Sequence, residues 1–309
     1  MTLLGVTVIA SAQQSRGPAQ ALLQRVIDQA DKLTYSGTRT VEFKQGPDRV
    51  KHTEYVVRQG ERYRAEFGRD SQFAGQIVVE NSTNRLHYFP NENEIHVLPP
   101  RRDEAYGRMA RMLEADQGRF QFELADGGRV ANRETSVVTI KDSRGNVLQK
   151  LWVDKQTAML LKREMYDPVG AVMGGFEFTR VNFSPRIRQS DFEIGRRGAK
   201  RVTPSDLLDR HIASGGFQNV RIGANEGYRL EASMVLDRAP QKTLVQTYRS
   251  DKTRLSLFQV KGAVDGDTIE QMTRGRTTAV SWTKGGSTFV LIGDLPKSEL
   301  ERLSKRLQE

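Results

Sequence analysis

"LWVDKQTAMLLKREMYDPVGAVMGGFEFTRVNF" spans residues 151–183 and reads as strands with only turns between them. A strand over 146–154 ends at Asp154, and Asp154-Lys155-Gln156-Thr157 turns the chain. A second strand follows over 158–167, "DPVGAV" turns again, and "GGFEFTRVNF" (174–183) is a third. Connections this short join antiparallel neighbours, because a parallel pair needs a crossover of a dozen residues or more.

The same grammar runs upstream. "TRTVEFKQ" (38–45), "KHTEYVVRQ" (51–59), "ERYRAEFG" (61–68), "GQIVVEN" (75–81), "NRLHYFP" (84–90) and "EIHVLP" (94–99) are short runs rich in aromatic and β-branched residues. Joints such as "QGER", "NSTN" and "PNEN" carry the turn chemistry of a meander. Strand 136–142 follows, joined through "DSRGN" to 146–154. Helices are expected over Pro18 to Leu33, where Leu22, Leu23, Val26, Ile27, Ala30 and Leu33 recur at helical spacing, and over Arg101 to Ala115. Ten strands and two helices thus precede residue 185 in this reading. So many strands must curl, and two helices leave part of the sheet uncovered. The fold class expected is α+β: a curled, mostly antiparallel half-barrel with covering helices, plus a small α+β C-terminal domain.

"GRRGAKRVTPSD" (195–206) is basic and contains glycine, and it marks the boundary. The expected organisation is a signal-peptide remnant over 1–12, a half-barrel domain over 13–195, a linker over 196–205 and a small domain over 206–309. The small domain opens with a helix at Thr203-Pro204-Ser205-Asp206 through Ala213. Strands follow at about 228–236, 243–249, 254–260, 277–283 and 287–292, and "PKSELERLSKRL" (296–307) closes it through Leu300, Leu303 and Leu307.

The chain has 309 residues, a net charge of +10 and no cysteine. The missing thiols rule out disulfides, cysteine-ligated zinc, thiol catalysis and a lipoprotein anchor. The positive excess is shared by the parts on either side of residue 200, which suits attraction to anionic surfaces better than one basic arm. Leu3 to Ala10 is a short apolar run, followed by the small-x-small site Ala10-Ser11-Ala12. That is the core and cleavage region of a secretory signal, so an extracytoplasmic, periplasmic protein is expected.

Catalytic signatures are missing. No serine sits in a G-x-S-x-G turn, no H-E-x-x-H occurs, and the "SGG" and "KGG" runs are ordinary turns rather than phosphate loops. No enzyme activity and no cofactor are expected. The 84–98 hairpin sets His87 against His96, with Glu92 and Glu94 nearby, but such strand and turn residues read as solvated side chains and no metal site is expected. Tyr55, Tyr63, Phe67, Tyr88 and Trp152 interleave with arginines as in a stacking platform for nucleic acid. Strict alternation favours an apolar sheet face with a wet reverse, so no nucleic-acid partner is expected.

The apolar face supplies the candidate site. Phe43, Tyr55, Val57, Tyr63, Phe67, Trp152, Leu160, Phe176 and Phe178 are the residues expected to line an apolar cavity inside the curl. A cavity so lined favours an acyl chain, at about 0.8 kcal/mol for each methylene removed from water.

The helix, the "YSGTRTVEF" strand, the meander and the "LWVD…T…LLKREMYD…G" element together resemble the lipoprotein-carrier, LolA/LolB-like half-barrel. Adding a second domain that ends "GRTTAVSW…GGSTFVLIGDLPKSELERLSKRL", the chain is similar to the MucB/RseB family of extracytoplasmic sigma-factor regulators. The resemblance implies a binding protein that grips the extracytoplasmic part of a membrane anti-sigma factor, shields it from proteolysis and releases it on a lipid or acyl signal. A periplasmic lipid or lipoprotein carrier, working in envelope sorting, is the alternative.

Overall fold

The computed structural model describes residues 17–100, 104–114, 118–238, 241–251, 253–264 and 277–308. The stretch read as a signal peptide lies outside them. Contacts divide the chain into two compact units. One runs to Ser82 and resumes after residue 100 as far as Glu193; the other joins Thr83–Pro100 to the chain from Ile194 onward.

The first unit opens with helix α1 (Pro18–Gln29), where Pro18 takes the first helical position and Gln20 reaches back to accept from the Gly17 N–H at 2.8 Å. Four strands follow: β1 (Thr34–Gln45), β2 (Asp48–Gln59), β3 (Arg62–Phe67) and β4 (Ile77–Glu80). The hairpin β5 (Arg85–Phe89) and β6 (Glu94–Leu98) belongs to the second unit. The first unit resumes with α2 (Glu104–Glu114), then β7 (Phe120–Val130), β8 (Arg133–Asp142), β9 (Val147–Asp154), β10 (Leu160–Tyr166) and β11 (Val172–Asn182). Its strands lie in the order β4-β3-β2-β1-β11-β10-β9-β8-β7. Every neighbouring pair is antiparallel, and β1 against β11 joins the two meanders.

Among the described residues eleven strands, not ten, precede residue 185. The additional one is β7. Its alternation Phe120, Phe122, Leu124 breaks at Asp126-Gly127-Gly128, where a bulge shifts the register against β8. A Cβ on Gly127 would lie 2.5 Å from Thr135 Oγ1, so this close approach needs glycine. In the sequence the same glycine pair interrupts the alternation. The true turn is Ala131-Asn132, with both residues at positive φ, as a two-residue hairpin requires.

The sheet curls. Val130 and Ala131, at its last hairpin, pack in one cluster with Tyr35, Val56, Leu161 and Phe178 from strands well removed in the order. Helices α1 and α2 bring Leu23, Val26, Met109 and Leu113 onto Val138, Ile140, Leu151, Val153 and Leu160. They therefore cover the part of the inner face built by β7 to β10.

In the second unit β12 (Lys200–Val202) lies parallel to β6, so part of the expected linker is a strand. Helix α3 (Pro204–Gly215) follows, boxed by Thr203 and Asp206: the Thr203 N–H donates to the Asp206 carboxylate at 2.8 Å and the Asp206 N–H to Thr203 Oγ1 at 3.3 Å. A five-stranded sheet comes next, made of β13 (Arg229–Arg238), β14 (Gln241–Arg249), β15 (Arg254–Lys261), β16 (Thr278–Lys284) and β17 (Ser287–Gly293), in the order β13-β14-β15-β17-β16. Helix α4 (Lys297–Gln308) buries Leu300 and Leu303 against Tyr248, Leu257, Phe289 and Leu291. The molecule is thus α+β, with a curled antiparallel half-barrel and a small α+β unit.

The hairpin β5–β6 is tied to this unit by Arg210 of α3, which grips both Glu94 oxygens at 2.8 and 2.7 Å. The Arg210 hydrogen bonds hold the Glu94 carboxyl down at about 2, against the opposing effect of burial. Trypsin should nick the exposed Arg196 and Arg197, giving fragments of roughly 20 and 12 kDa on a denaturing gel, as expected for a cut at an exposed joint. The fragments should still co-elute in native gel filtration, because 83–100 and the chain after 194 belong to one unit. Fragments that separate without denaturant would refute that assignment.

Candidate functional site

Cross-strand partners in an antiparallel sheet share a face, so register sorts the candidate residues. Gln45 pairs with Asp48 and Gln59 with Arg62, so the first two turns hold two residues each and inward positions switch parity from strand to strand. Inward residues are odd-numbered on β1, even on β2 and odd on β3. Tyr35, Arg39, Val41 and Phe43 therefore share a face with Val50, His52, Glu54 and Val56, and with Tyr63, Ala65 and Phe67. Across β1, Phe178 and Phe176 pair with Arg39 and Val41, and Arg163 pairs with Phe176. Leu160 and Val153 lie on this face beneath the helices.

Six of the nine expected lining residues thus point inward: Phe43, Tyr63, Phe67, Leu160, Phe176 and Phe178. Tyr55 and Val57 point from the opposite face; Trp152 does so by its register with Lys162 and Val137, while its ring still packs against the cluster that holds Val130 and Phe178. Tyr55 is 46% exposed. Val57 is buried, paired with Ser36 and Arg64. The Trp152 ring lies under the Lys162 ammonium at 4.8 Å. Reading Tyr55 and Val57 in line with Phe43 assumes an unchanged parity, which a two-residue turn does not allow.

Where the helices do not cover it, the inner face carries charge. Arg39 Nε donates to Glu54 Oε2 at 2.8 Å, its guanidinium reaches Tyr63 Oη at 3.0 Å, and it lies 5.1 Å over the Phe176 ring. His52 Nε2 meets Glu54 Oε1 at 2.8 Å. Burial alone would raise the Glu54 carboxyl; the His52 hydrogen bond and the Arg39 charge outweigh it and hold the group below the usual carboxylate range. Burial likewise works against the Arg39 charge, but Tyr63 and Glu54 push its pKa up. Ionised at both ends, the pair sits among the aromatic and aliphatic side chains of this face. The sequence alone does not announce it: Arg39 and Glu54 share the inward face only through the register between β1 and β2.

His52 is enclosed by rings. It stacks on Phe67 at 5.2 Å between centroids, and Phe73 and Phe43 meet it edge-on at 5.1 and 6.2 Å. Its Nδ1 is buried and has no hydrogen-bond partner. Phe73 belongs to the β3–β4 loop and was not among the expected residues, because a ring in a loop has no periodicity to announce it.

On the second unit His87 and His96 stand opposite each other on β5 and β6, as the hairpin reading requires. The Phe89 ring lies 4.1 Å from one and 4.4 Å from the other, and the nearby Glu94 is engaged by Arg210 and His96. Among the described residues no group of three His, Asp or Glu side chains could hold a metal ion. A pocket of about 440 Å³ lined by Arg221, Asn225, Glu226, Leu303 and Arg306 lies beside α4. Its carboxylate is paired with Arg302 and Arg306, which makes it a structural junction. No helix among the described residues is long and apolar enough to cross a membrane.

The description "MucB/RseB N-terminal domain" matches residues 18–195, more than half of the chain, from the first helix through the curled sheet. The chain belongs to the MucB/RseB family. Among solved structures this MucB/RseB chain is similar to MucB in complex with MucA(peri), at 18% identity over 93% of this chain and 97% of that one, with a TM-score of 0.43. The Pseudomonas aeruginosa MucA/MucB complex gives the same figures: 18% identity, coverage of 93% and 97%, and a TM-score of 0.43. A LolA superfamily protein from Nitrosomonas europaea is similar at 10% identity over 58% of this chain and 99% of that one, with a TM-score of 0.29. Comparison of the sequence with curated proteins returns no match.

Proposed function

We propose that this MucB/RseB-family protein is a non-enzymatic, extracytoplasmic regulator that holds the periplasmic part of a membrane anti-sigma factor and responds to a lipid or acyl ligand. Membership of the family carries the reading. Within that family MucB is known in complex with MucA(peri). The inner face supports the lipid half of the proposal. Phe43, Tyr63, Phe67, Phe176 and Phe178 gather on one side of the curled sheet, and α1 and α2 pack over β7 to β10 and reach as far as Phe176. Acyl chains gain about 0.8 kcal/mol per methylene transferred to such a surface. Export from the cytoplasm, through the apolar run Leu3–Ala10 and the Ala10-Ser11-Ala12 site, belongs to the same proposal.

The test is capture from the host's own detergent-solubilised membranes on immobilised full-length protein. A regulator retains a single-pass membrane protein with an extracytoplasmic segment, and excess acyl ligand releases it. Retention of acylated lipoproteins instead would replace the regulator reading by that of a carrier.

A further inference from the structure

The β3–β4 loop, residues 68–76, folds its one aromatic ring back onto the inner face. Phe73 lies 5.1 Å from the His52 ring, 5.8 Å from Phe67 and 6.4 Å from Phe43. Phe43, His52 and Phe67 come from β1, β2 and β3, so they form a fixed three-sided socket on rigid strands. The fourth side is a loop residue.

The loop is held from outside. Asp70 accepts from the Thr53 hydroxyl at 2.7 Å and from the Thr53 N–H at 3.4 Å, both at the exposed surface. The Gly68 N–H donates to the Thr53 carbonyl at 2.8 Å, and Gly75, at a φ of 75°, returns the chain by donating to the Phe67 carbonyl at 3.3 Å. At its far end the Phe67 N–H donates to the Gln76 carbonyl at 3.0 Å, and bonds from Phe73 and Ala74 to Ser71 and from Gln76 to Phe73 close the turns between. A loop tied to the sheet at its two ends and through Asp70 opens at lower free-energy cost than the sheet beneath it.

Below the ring, His52 is 2% exposed and its Nδ1 is unpartnered. Buried polar atoms are nearly always satisfied, so this nitrogen is open to a hydrogen-bond donor. With Nε2 turned to Glu54, Nδ1 can accept a hydrogen bond.

We infer that Phe73 is a removable plug: it fills, with the chain's own ring, a subsite of the inner face that takes the apolar chain of an amphiphile. The inference rests on the lipid reading above and deepens it. The socket is ring-lined on three sides, so its occupant is apolar. The strands hold it whether or not the loop is in place, so an acyl chain enters by exchange with Phe73 rather than by remodelling the sheet. A hydroxyl carried on that chain meets His52 Nδ1. Binding then carries a fixed cost, because only the fraction of molecules with the plug out can accept the ligand.

Removing the ring removes that cost. If the socket is open about a tenth of the time, full-length Phe73→Ala should bind dodecanoate about tenfold more tightly than wild type in calorimetric titration, since apparent affinity scales with the competent fraction. A Phe73→Trp reporter, in a chain where Trp152→Phe and Trp282→Phe remove the two native tryptophans, reads the motion itself. Its emission should shift to longer wavelength as dodecanoate is added, because the ring leaves its neighbours for water. Circular dichroism confirms that each variant is folded. If wild type binds dodecanoate while Phe73→Ala binds it no more tightly and the reporter does not shift, the plug is refuted and the lipid reading stands. If neither wild type nor Phe73→Ala binds, both fall. Binding by Phe73→Ala alone supports the plug.

Discussion

Gly175→Ala should cost the first unit about 3 kcal/mol or more of its stability, enough to lower its urea midpoint sharply. Gly175 lies on β11, opposite Glu164 of β10 on one side and Glu42 of β1 on the other, where the two meanders meet. A Cβ there would stand 1.9 Å from the Arg163 carbonyl oxygen and 2.9 Å from its carbon. Both atoms are backbone of a paired strand, so neither can swing aside. Either β10 moves away from β11 and breaks the ladder, or β11 rotates and takes Phe176 and Phe178 off the inner face. Overpacking a well-packed site costs typically about 1–3 kcal/mol, and a clash with fixed backbone lies at or above the top of that range. Against a total stability of about 5–15 kcal/mol, that loss is large. Urea unfolding followed by far-ultraviolet circular dichroism measures it. Gly195→Ala is the matched control, since nothing lies within 4 Å of its Cβ position, and it should be neutral. A Gly175→Ala midpoint within error of that control would show that the strands are looser here than described.

The contrast between those two glycines shows what a sequence carries and what it does not. Both look alike as letters. Local pattern was enough for the alternation of strand and turn from Thr34 to Leu98 and from Arg133 to Asn182, for the capped helix after Thr203, and for α4 with Leu300 and Leu303 on its buried side. These depend on neighbours within a few residues, where propensity and spacing act. Parity across a hairpin is also local, yet it turns on whether a turn holds two residues or three. Tyr55 and Val57 fall on the far face for that reason alone. Strand β7 escaped because its glycines serve a close approach to Thr135, a partner seen only once the hairpin is formed. The candidate site was least legible where it matters most. Phe73 enters through a loop, and the pairing of Arg39 with Glu54 depends on register between strands rather than on either segment alone.

Asp154→Ala is the second large effect expected, and it falls in the stretch whose turns decide the fold. Asp154 is 1% exposed at the end of β9. Its carboxylate accepts from Arg133 Nε at 2.7 Å and from the same guanidinium at 3.1 Å. It also accepts from the backbone N–H groups of Gln156 and Thr157 at 3.1 and 2.7 Å, and from the Thr157 hydroxyl at 2.9 Å. One side chain thus ties the turn after β9 to the start of β8 and fixes the entry to β10, where Ala158 sits at a φ of 57°. Alanine would strip the acceptor from all of these donors at once. Breaking a buried pair by removing one partner costs about 3–5 kcal/mol, and Arg133 is partly wet and rests over Phe183, so about 3 kcal/mol is expected. That corresponds to a fall in Tm of about 10 °C for a unit of this size. The double variant Arg133→Ala/Asp154→Ala should lose much less than the sum of the single changes, because the second substitution removes a charge already orphaned. The pH dependence follows from the same contacts. Burial would raise the Asp154 carboxyl, but the bonds from Arg133 and Thr157 prevail and hold it below the ordinary aspartate value. Its contribution is therefore complete above the unfolded value of about 4 and is lost as pH falls through the lower folded value. The gap in Tm between wild type and Asp154→Asn should be widest at neutral pH and close progressively in acid below about pH 4, where the unfolded carboxyl takes up its proton first. A gap that stays constant from pH 7 to pH 3, or additive losses in the double variant, would mean that this carboxylate does not hold the turn.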